Sequence, residues 1–510
     1  MKKSFLIIIL FLLSFPILSQ PIIEWGMNYG GTLDDIVNSA KKTADGGFVF
    51  AGYSYSNNND LTSNSGSNDG WVVKTNSIGV IVWQKSYGSS GIDEINSISQ
   101  TSDGGYILCG TSTSSSGTYS LNHGGGGDVL LIKTNNVGVV VWQKLFGGTD
   151  EDFGYSVIQT NDGGYIFNST TFSNDGDVSG NHGLSDAWAV KTNSVGVIEW
   201  QKCYGSLGNQ FGFFINQTND GGYIMCCRTN SGLGEVNGYS GNVGSAEAWI
   251  VKTNSLGVIL WNRCLQASVN DDDYREIKQT LDGGYITAGG IDVNVMNSDI
   301  KIFKLDALGA NQWVKTLYAV SGNENAKSII ESIEGGYIIS GTTTSSLGIV
   351  SGNYGGVDNW VIKIGNTGLI EWQKCLGGTN SDGNGYILQL NDGGYVLVGN
   401  TLSNNGSIPN NYGQFDIYAN KLSSTTGINE PDNFKSFYSI FPNPANDLLN
   451  LIITDGNVID NFVIIDLLGR KVLEQKEKTS QINIKSLEKG IYQLIITSGD
   501  MNYSIKFIKE

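Results

Sequence analysis

With 48 Asp and Glu against 2 His and 4 Arg in 510 residues, carboxylates are the groups with which this chain could most readily do chemistry. Ten residues before each copy of a recurring Asp/Glu-Gly-Gly tripeptide stands a polar residue, acidic in six of seven copies: Asp35, Asp93, Asp152, Gln210, Asp272, Glu324 and Asp382. A second acidic set follows at Asp69, Asp128, Asp186, Glu247, Asp299, Asp358 and Asp416. Carboxylates gathered on one face can hold a cation, bind a basic segment or hydrogen-bond sugar hydroxyls, and a suitably spaced pair can hydrolyse a glycosidic bond. The same residues can instead accept backbone N–H bonds from their own loops, and strict repetition favours that structural role. The fifth copy departs most from the pattern, with Asp271-Asp272-Asp273-Tyr274-Arg275, so a special site is expected first at Asp272, Asp273 and Arg275.

Other chemistries have less to work with. No cofactor is expected; the one candidate is a structural Ca2+ at Asp175, Asp177 and Asn181, which cluster oxygen ligands in a glycine-rich loop. His123 and His182 each sit in an Asn-His-Gly sequence in different copies, and no Cys-x-x-Cys spacing exists for zinc. Cys203, Cys264 and Cys375 share one repeat position and Cys109 and Cys226 another, with Cys227 beside it. Equivalent positions in separate units lie too far apart for disulfides, so these read as buried free thiols.

The elements that must position these groups come from the repeat itself. The turn acids fall at Asp45, Asp103, Asp162, Asp220, Asp282, Glu334 and Asp392, at spacings of 52 to 62 residues. A tryptophan precedes each by 20 or 21 positions: Trp25, Trp83, Trp142, Trp200, Trp261, Trp313 and Trp372. Each unit carries four strand signals joined by a tight turn, a long Gly/Ser/Asn loop and a second short turn, which predicts four antiparallel strands per unit and a seven-bladed β-propeller. A β-solenoid would have shorter rungs and no hairpin in every unit. The seventh unit stops after its third strand, so the Trp-bearing run at residues 22–29 is expected to complete it and close the ring. Strand order and hairpin position resemble WD40-like propellers without their His or Trp-Asp signatures, and the repeats resemble the Asp-Gly-Gly-Tyr proteins found on Bacteroidetes surfaces.

The ends differ from this array. Residues 1–20, MKKSFLIIILFLLSFPILSQ, have the basic start, apolar centre and polar exit of a secretory signal peptide. No transmembrane span is expected in the mature protein. The propeller is assigned to 21–424, a linker to 425–437 and a small β-sandwich to 438–510. The motifs Phe441-Pro442-Asn443-Pro444, Asp466-Leu467-Leu468-Gly469-Arg470 and Lys489-Gly490-Ile491-Tyr492, with a closing Lys506-Phe507-Ile508-Lys509, resemble the type A C-terminal sorting domain of the type IX secretion system. That resemblance implies passage through the periplasm to the extracellular or outer-membrane surface, with the secretion machinery as partner.

A formal charge of −17 disfavours nucleic acid and anionic membranes as partners. The favoured function is a non-catalytic surface or secreted propeller that binds a glycan or protein through its loop-rich acidic face. A polysaccharide-acting enzyme using carboxylates, or a structural adhesion or surface-layer component, stands as the alternative. Ligand identity, oligomeric state and release or surface attachment are not encoded in any motif.

Overall fold

The computed structural model describes residues 20–62, 64–114, 123–242, 244–268, 270–291, 298–319, 321–424, 438–441, 445–453, 461–466, 470–475, 481–498 and 501–509. The expected signal peptide, apart from Gln20, and the linker at 425–437 lie outside the described residues, as do Pro442–Pro444 and Leu467–Gly469. The chain divides into two compact units, Met1–Ser423 and Ser424–Glu510. Among the described residues no helix is long and apolar enough to cross a membrane.

The first unit is a seven-bladed propeller, each blade a four-stranded antiparallel sheet. Blade one runs Asp35–Lys42, Phe48–Ser54, Asp69–Thr75 and Ile81–Tyr87, and the same order recurs. First strands of consecutive blades touch around the ring, and that of blade one touches that of blade seven. Closure is made by Ile23–Tyr29, which pairs antiparallel with Asp416–Leu422 as the fourth strand of blade seven, setting Trp25 opposite Lys421 and Tyr29 opposite Ile417. Middle strands are buried along their length, whereas fourth strands keep exposed residues such as Val82 and Val141. That gradient places the first strands on the axis and the fourth on the rim.

The two markers of the repeat meet between blades. Trp83 of blade one packs edge-on against Tyr106 of blade two, ring centroids 5.7 Å apart, and Trp142–Tyr165, Trp200–Tyr223, Trp261–Tyr285, Trp313–Tyr337 and Trp372–Tyr395 repeat the contact. Trp25 and Phe48 make the seventh, across the closing seam. The tryptophan and the residue after Asp-Gly-Gly therefore recur together because they are the two halves of one interface.

Asp-Gly-Gly is a turn with a buried counter-ion. Gly46 takes φ 83°, while Asp45 is not among the positive-φ residues. Its carboxylate instead accepts from Thr43 Oγ1 at 2.5 Å and Gly47 N at 3.1 Å, and pairs with Lys74 Nζ at 2.9 Å. A Cβ on Gly47 would lie 2.1 Å from Thr75 O and 2.7 Å from Lys74 Nζ, so the second glycine makes room for the lysine. The third-strand lysines are thus buried ion-pair partners of the turn acids: Lys133–Asp103, Lys191–Asp162, Lys252–Asp220 and Lys304–Asp282 repeat the pair at 2.8 to 2.9 Å. Where Glu334 replaces the aspartate, Lys363 turns to Glu371 at 3.1 Å.

The second unit has two sheets, one of three strands and one of four. Leu449, Leu451 and Ile482 from the first and Phe462, Ile464, Leu494 and Ile496 from the second share one buried cluster, so the unit is a β-sandwich.

Candidate functional site

The acidic positions expected on the loop-rich face are buried at the seams between blades. Asp35, Asp93, Asp152, Asp272, Glu324 and Asp382 are all 0% exposed. Each gives at least one oxygen to its own loop or partner strand: Asp35 Oδ2 accepts from Gly31 N at 2.6 Å, Asp93 Oδ2 from Ser89 N at 2.7 Å, Asp152 Oδ2 from Gly148 N at 2.8 Å and Asp382 Oδ2 from Gly378 N at 2.7 Å. Asp272 accepts from Ser268 N and Oγ, and Glu324 from Thr343 Oγ1 at 2.8 Å. Each staples the chain four residues upstream or its partner strand, the role that repetition favours.

Several of these acids face members of the second set across a seam. A Cβ on Gly377 would lie 2.0 Å from Asp358 Oδ1 and 2.8 Å from Asp382 Oδ2, and one on Gly30 would meet Asp416 Oδ1 and Asp35 Oδ2 in the same way. Burial, with Asp382 beside it, pushes the Asp358 carboxyl up to about 7, and burial with Asp35 and Asp60 does the same to Asp416. Burial likewise pushes Asp35 and Asp152 up to about 6.

The three expected calcium ligands go separate ways. Asp175 accepts from Thr149 N and Oγ1, both at 2.8 Å, Asp177 approaches Gly147 N at 3.4 Å, and Asn181 donates to Ser173 O at 3.1 Å. Among the described residues no group of three or more His, Cys, Asp or Glu side chains is placed to hold a metal ion. His123 and His182 are tied to the third-strand acids Asp128 at 3.0 Å and Asp186 at 2.7 Å. All six cysteines are free and buried.

Among the described residues, one concavity that can take a ligand is the axial channel, a cavity of about 560 Å³ lined by all seven first strands. In every blade the first strand carries a β-bulge at the same place, between Val37 and Ser39 in blade one and between Gly212 and Phe214 in blade four. A bulge leaves a residue unpaired and re-aims its side chain. The bulge residues are Asn38, Asn96, Tyr155, Phe213, Lys327 and, where two residues are unpaired, Arg275 with Glu276 in blade five and Asn384 with Gly385 in blade seven. From there the lining runs to the strand ends at Lys42, Glu331 and Gln389, so the cavity extends toward the Asp-Gly-Gly turns rather than the long loops.

The lining is asymmetric. On one side Asn38 donates to Asn96 Oδ1 at 2.9 Å, and Asn96 to Gly154 O at 2.9 Å. Aromatics follow, with Tyr155 edge-on to Phe213 at 5.3 Å. Charges then begin: Arg275 lies over Phe213 at 4.0 Å, Lys278 over Phe214 at 4.6 Å and Lys327 over Tyr386 at 5.3 Å. Glu276 accepts from Ser328 Oγ at 3.0 Å and Ile329 N at 3.1 Å and pairs with Lys278 at 2.7 Å. Burial opposes its ionisation, but Lys278, Lys41 and these hydrogen bonds outweigh that and hold its carboxyl below the usual range. Burial, with Lys278 nearby, pulls the Lys41 ammonium down to about 8, and burial with Arg275 does the same to Lys327.

Of the residues expected from sequence, Arg275 lines this channel, and Asp273 holds it through Oδ1 and Nε at 2.5 Å. Lys41, Tyr155, Phe213, Glu276, Lys327 and Tyr386 were not singled out. Their signal lies three, four and six residues after each buried acid, where the repeat stops repeating: the third position reads Asn, Asn, Tyr, Phe, Arg, Lys, Gly.

Comparison with curated proteins finds no match to the chain. Among solved structures it is similar to PorZ, an essential surface component of the type IX secretion system of Porphyromonas gingivalis, at 11% identity and TM-score 0.43, covering 94% of this chain and 60% of PorZ. It is also similar to a protein of unknown function from Bacteroides caccae, at 13% identity and TM-score 0.36, covering 61% of this chain and 92% of that one. A third is the extracellular domain of a hybrid two-component system from B. thetaiotaomicron, at 9% identity and TM-score 0.36, covering 93% and 55%. The chain thus spans less than two thirds of the length of PorZ. Residues 439–510 match the family model described as a secretion system C-terminal sorting domain. The C-terminal unit is therefore a type IX secretion sorting domain, and the chain is a β-propeller protein exported to the cell surface or the extracellular space.

Proposed function

We propose that the propeller is a non-catalytic glycan-recognition module that receives its ligand in the axial channel. The observation that carries this reading is where the seven-fold pattern fails: seams and turns repeat, while the bulge residues on the axis differ from blade to blade. A scaffold needs the same residue seven times, whereas one asymmetric ligand needs different ones. The volume of about 560 Å³ suits a small oligosaccharide, and the aromatic faces of Tyr155, Phe213 and Tyr386 suit the apolar faces of sugar rings.

Binding is favoured over hydrolysis by the state of Glu276. Its carboxylate is engaged by Lys278, Ser328 and Ile329, which leaves it poorly placed to relay a proton. Native gels cast with a panel of neutral and acidic polysaccharides test the reading. Retardation of the purified protein by at least one polymer, with no new reducing ends after incubation, is the expected result. Unretarded migration through every polymer would overturn it.

A further inference from the structure

The charges in the channel point to a particular class of glycan. The chain carries −17 overall, yet the channel lining has five cationic side chains, Lys41, Lys42, Arg275, Lys278 and Lys327, against two carboxylates, Glu276 and Glu331. One anion is already committed inside: Glu276 is paired with Lys278. Asp273 neutralises Arg275 through Nε, and among the described residues no hydrogen bond places the two terminal guanidinium nitrogens, the pair best suited to bidentate capture of an oxyanion. Glu331 is likewise engaged, accepting from Leu281 N at 2.9 Å, and Lys42 donates to Asn391.

Lys41 and Lys327 differ from the rest. Among the described residues neither makes a hydrogen bond or ion pair with the protein, although both are partly buried and line the cavity. Lys41 is faced by Lys278 and Glu276, and Lys327 by Arg275, Asp273, Glu276 and the Tyr386 ring. Holding unpaired ammonium groups beside other cations is costly unless an anion arrives to satisfy them. The two carboxylates nearest them are already paired, Glu276 with Lys278 and Asp273 with Arg275.

Resting on the channel-binding reading, we infer that the channel is an anion-recognition site for an acidic saccharide, in which Arg275, Lys327 and Lys41 engage a carboxylate or sulfate substituent while Tyr155 and Phe213 stack against the ring that bears it. The aromatic and cationic groups belong to neighbouring blades and meet at Phe213 and Arg275, as a ring with one charged substituent requires. A neutral glycan would leave the cations unsatisfied, which is the basis of discrimination.

The test is isothermal titration of the full exported protein with three oligosaccharide probes: oligogalacturonate, its methyl ester, and a sulfated galactan oligomer. Binding of oligogalacturonate or the sulfated oligomer at least 10-fold tighter than the ester is expected, and which acid wins identifies the substituent. Arg275→Gln and Lys327→Gln should each weaken the acidic probe at least 10-fold and shrink its advantage over the ester. Wild-type protein gives a check that needs no variant: affinity for the acid should fall as pH rises from 7 to 9 while the ester is flat, because Lys41 and Lys327 discharge near 8. Equal binding of acid and ester with no pH dependence would overturn the anion inference and leave glycan recognition standing. Binding of polyglutamate but of no saccharide would overturn both and make the ligand an acidic peptide.

Discussion

The guanidinium of Arg275 lies 4.0 Å from the centroid of the Phe213 ring, across the seam between blades four and five, while its Nε is held by Asp273 Oδ1 at 2.5 Å. This contact joins the aromatic and cationic parts of the channel, and Asp273 fixes the plane of the guanidinium. A cation over a ring at this distance contributes about 0.5 to 2 kcal/mol depending on desolvation. A double-mutant cycle of Phe213→Leu and Arg275→Gln, read by denaturant unfolding, should give a coupling energy in that range. A coupling indistinguishable from zero would mean the two side chains are neighbours without an energetic link.

The Asp-Gly-Gly turn makes a prediction about two adjacent glycines. Gly104 has φ 81° and nothing within 4 Å of an added Cβ, whereas a Cβ on Gly105 would meet Thr134 O at 2.1 Å and Lys133 Nζ at 2.7 Å. Gly104→Ala should therefore cost only the left-handed backbone penalty, about 1 to 2 kcal/mol. Gly105→Ala should cost clearly more, because strand backbone and a buried lysine must both move. Thermal unfolding of the two variants checks the order, and equal effects would show that the lysine does not set the second glycine.

Most of the fold was legible because whatever the blade needs, it needs seven times. Trp83 and Tyr106, Lys133 and Asp103, and the closing run at 22–29 are all visible as repeated letters or as one missing strand. The channel was not legible for the converse reason. The bulge that turns Tyr155, Phe213 and Lys327 toward the axis interrupts strict alternation, so nothing in the hydropathy pattern marks those side chains as facing a cavity. The buried acids left two readings open for a related reason, with repetition favouring the structural one: a carboxylate satisfied by its own loop, as Asp35 is by Gly31, has the same spelling as one offered to a ligand.

The seam carboxylates predict an unusual pH profile. Asp358 and Asp416 have folded values near 7, above the ordinary 3.8, through burial and a neighbouring acid. Between about pH 4 and 7 the native state then holds more protons than the unfolded state, and stability present below pH 4 is lost as pH rises through 7. The turn aspartates Asp45, Asp103, Asp162, Asp220 and Asp282 act oppositely. Burial opposes their ionisation, but Thr, Lys and backbone N–H bonds outweigh it and hold them at about 2, so their contribution is lost as pH falls from about 4 to 2. Tm should peak near pH 4 to 5 and decline on both sides.

Asp358→Asn isolates one seam. Among the described residues Asp358 Oδ1 has no hydrogen-bond partner, and Asp382 Oδ2 lies within about 5 Å of it across Gly377. An amide at this position carries no charge and supplies a donor, so the variant should be more stable than the parent at pH 8, by about 1 to 3 kcal/mol, and little changed at pH 5. Loss of stability at both values would show that the Asp358 carboxylate is needed as such.

Closure by Ile23–Tyr29 carries the last expectation. This strand supplies the fourth position of blade seven, sets Trp25 against Phe48 of blade one and sends Tyr29 Oη to Gly79 O at 2.6 Å, so one short segment covers an otherwise open strand edge and seals the last seam. Without it, Asp416–Leu422 would present unpaired backbone groups and the buried core shared by blades seven and one would meet water. A protein beginning at Gly31 should therefore self-associate or lose cooperative unfolding, while one beginning at Gln20 stays a monomer with a single transition. A peptide spanning residues 20–30, added in trans, should restore the monomer and bind once per chain. If the truncated protein remained monomeric and unfolded at the same temperature, six complete blades and a three-stranded seventh would suffice, and the strand would not be the clasp that holds the ring shut.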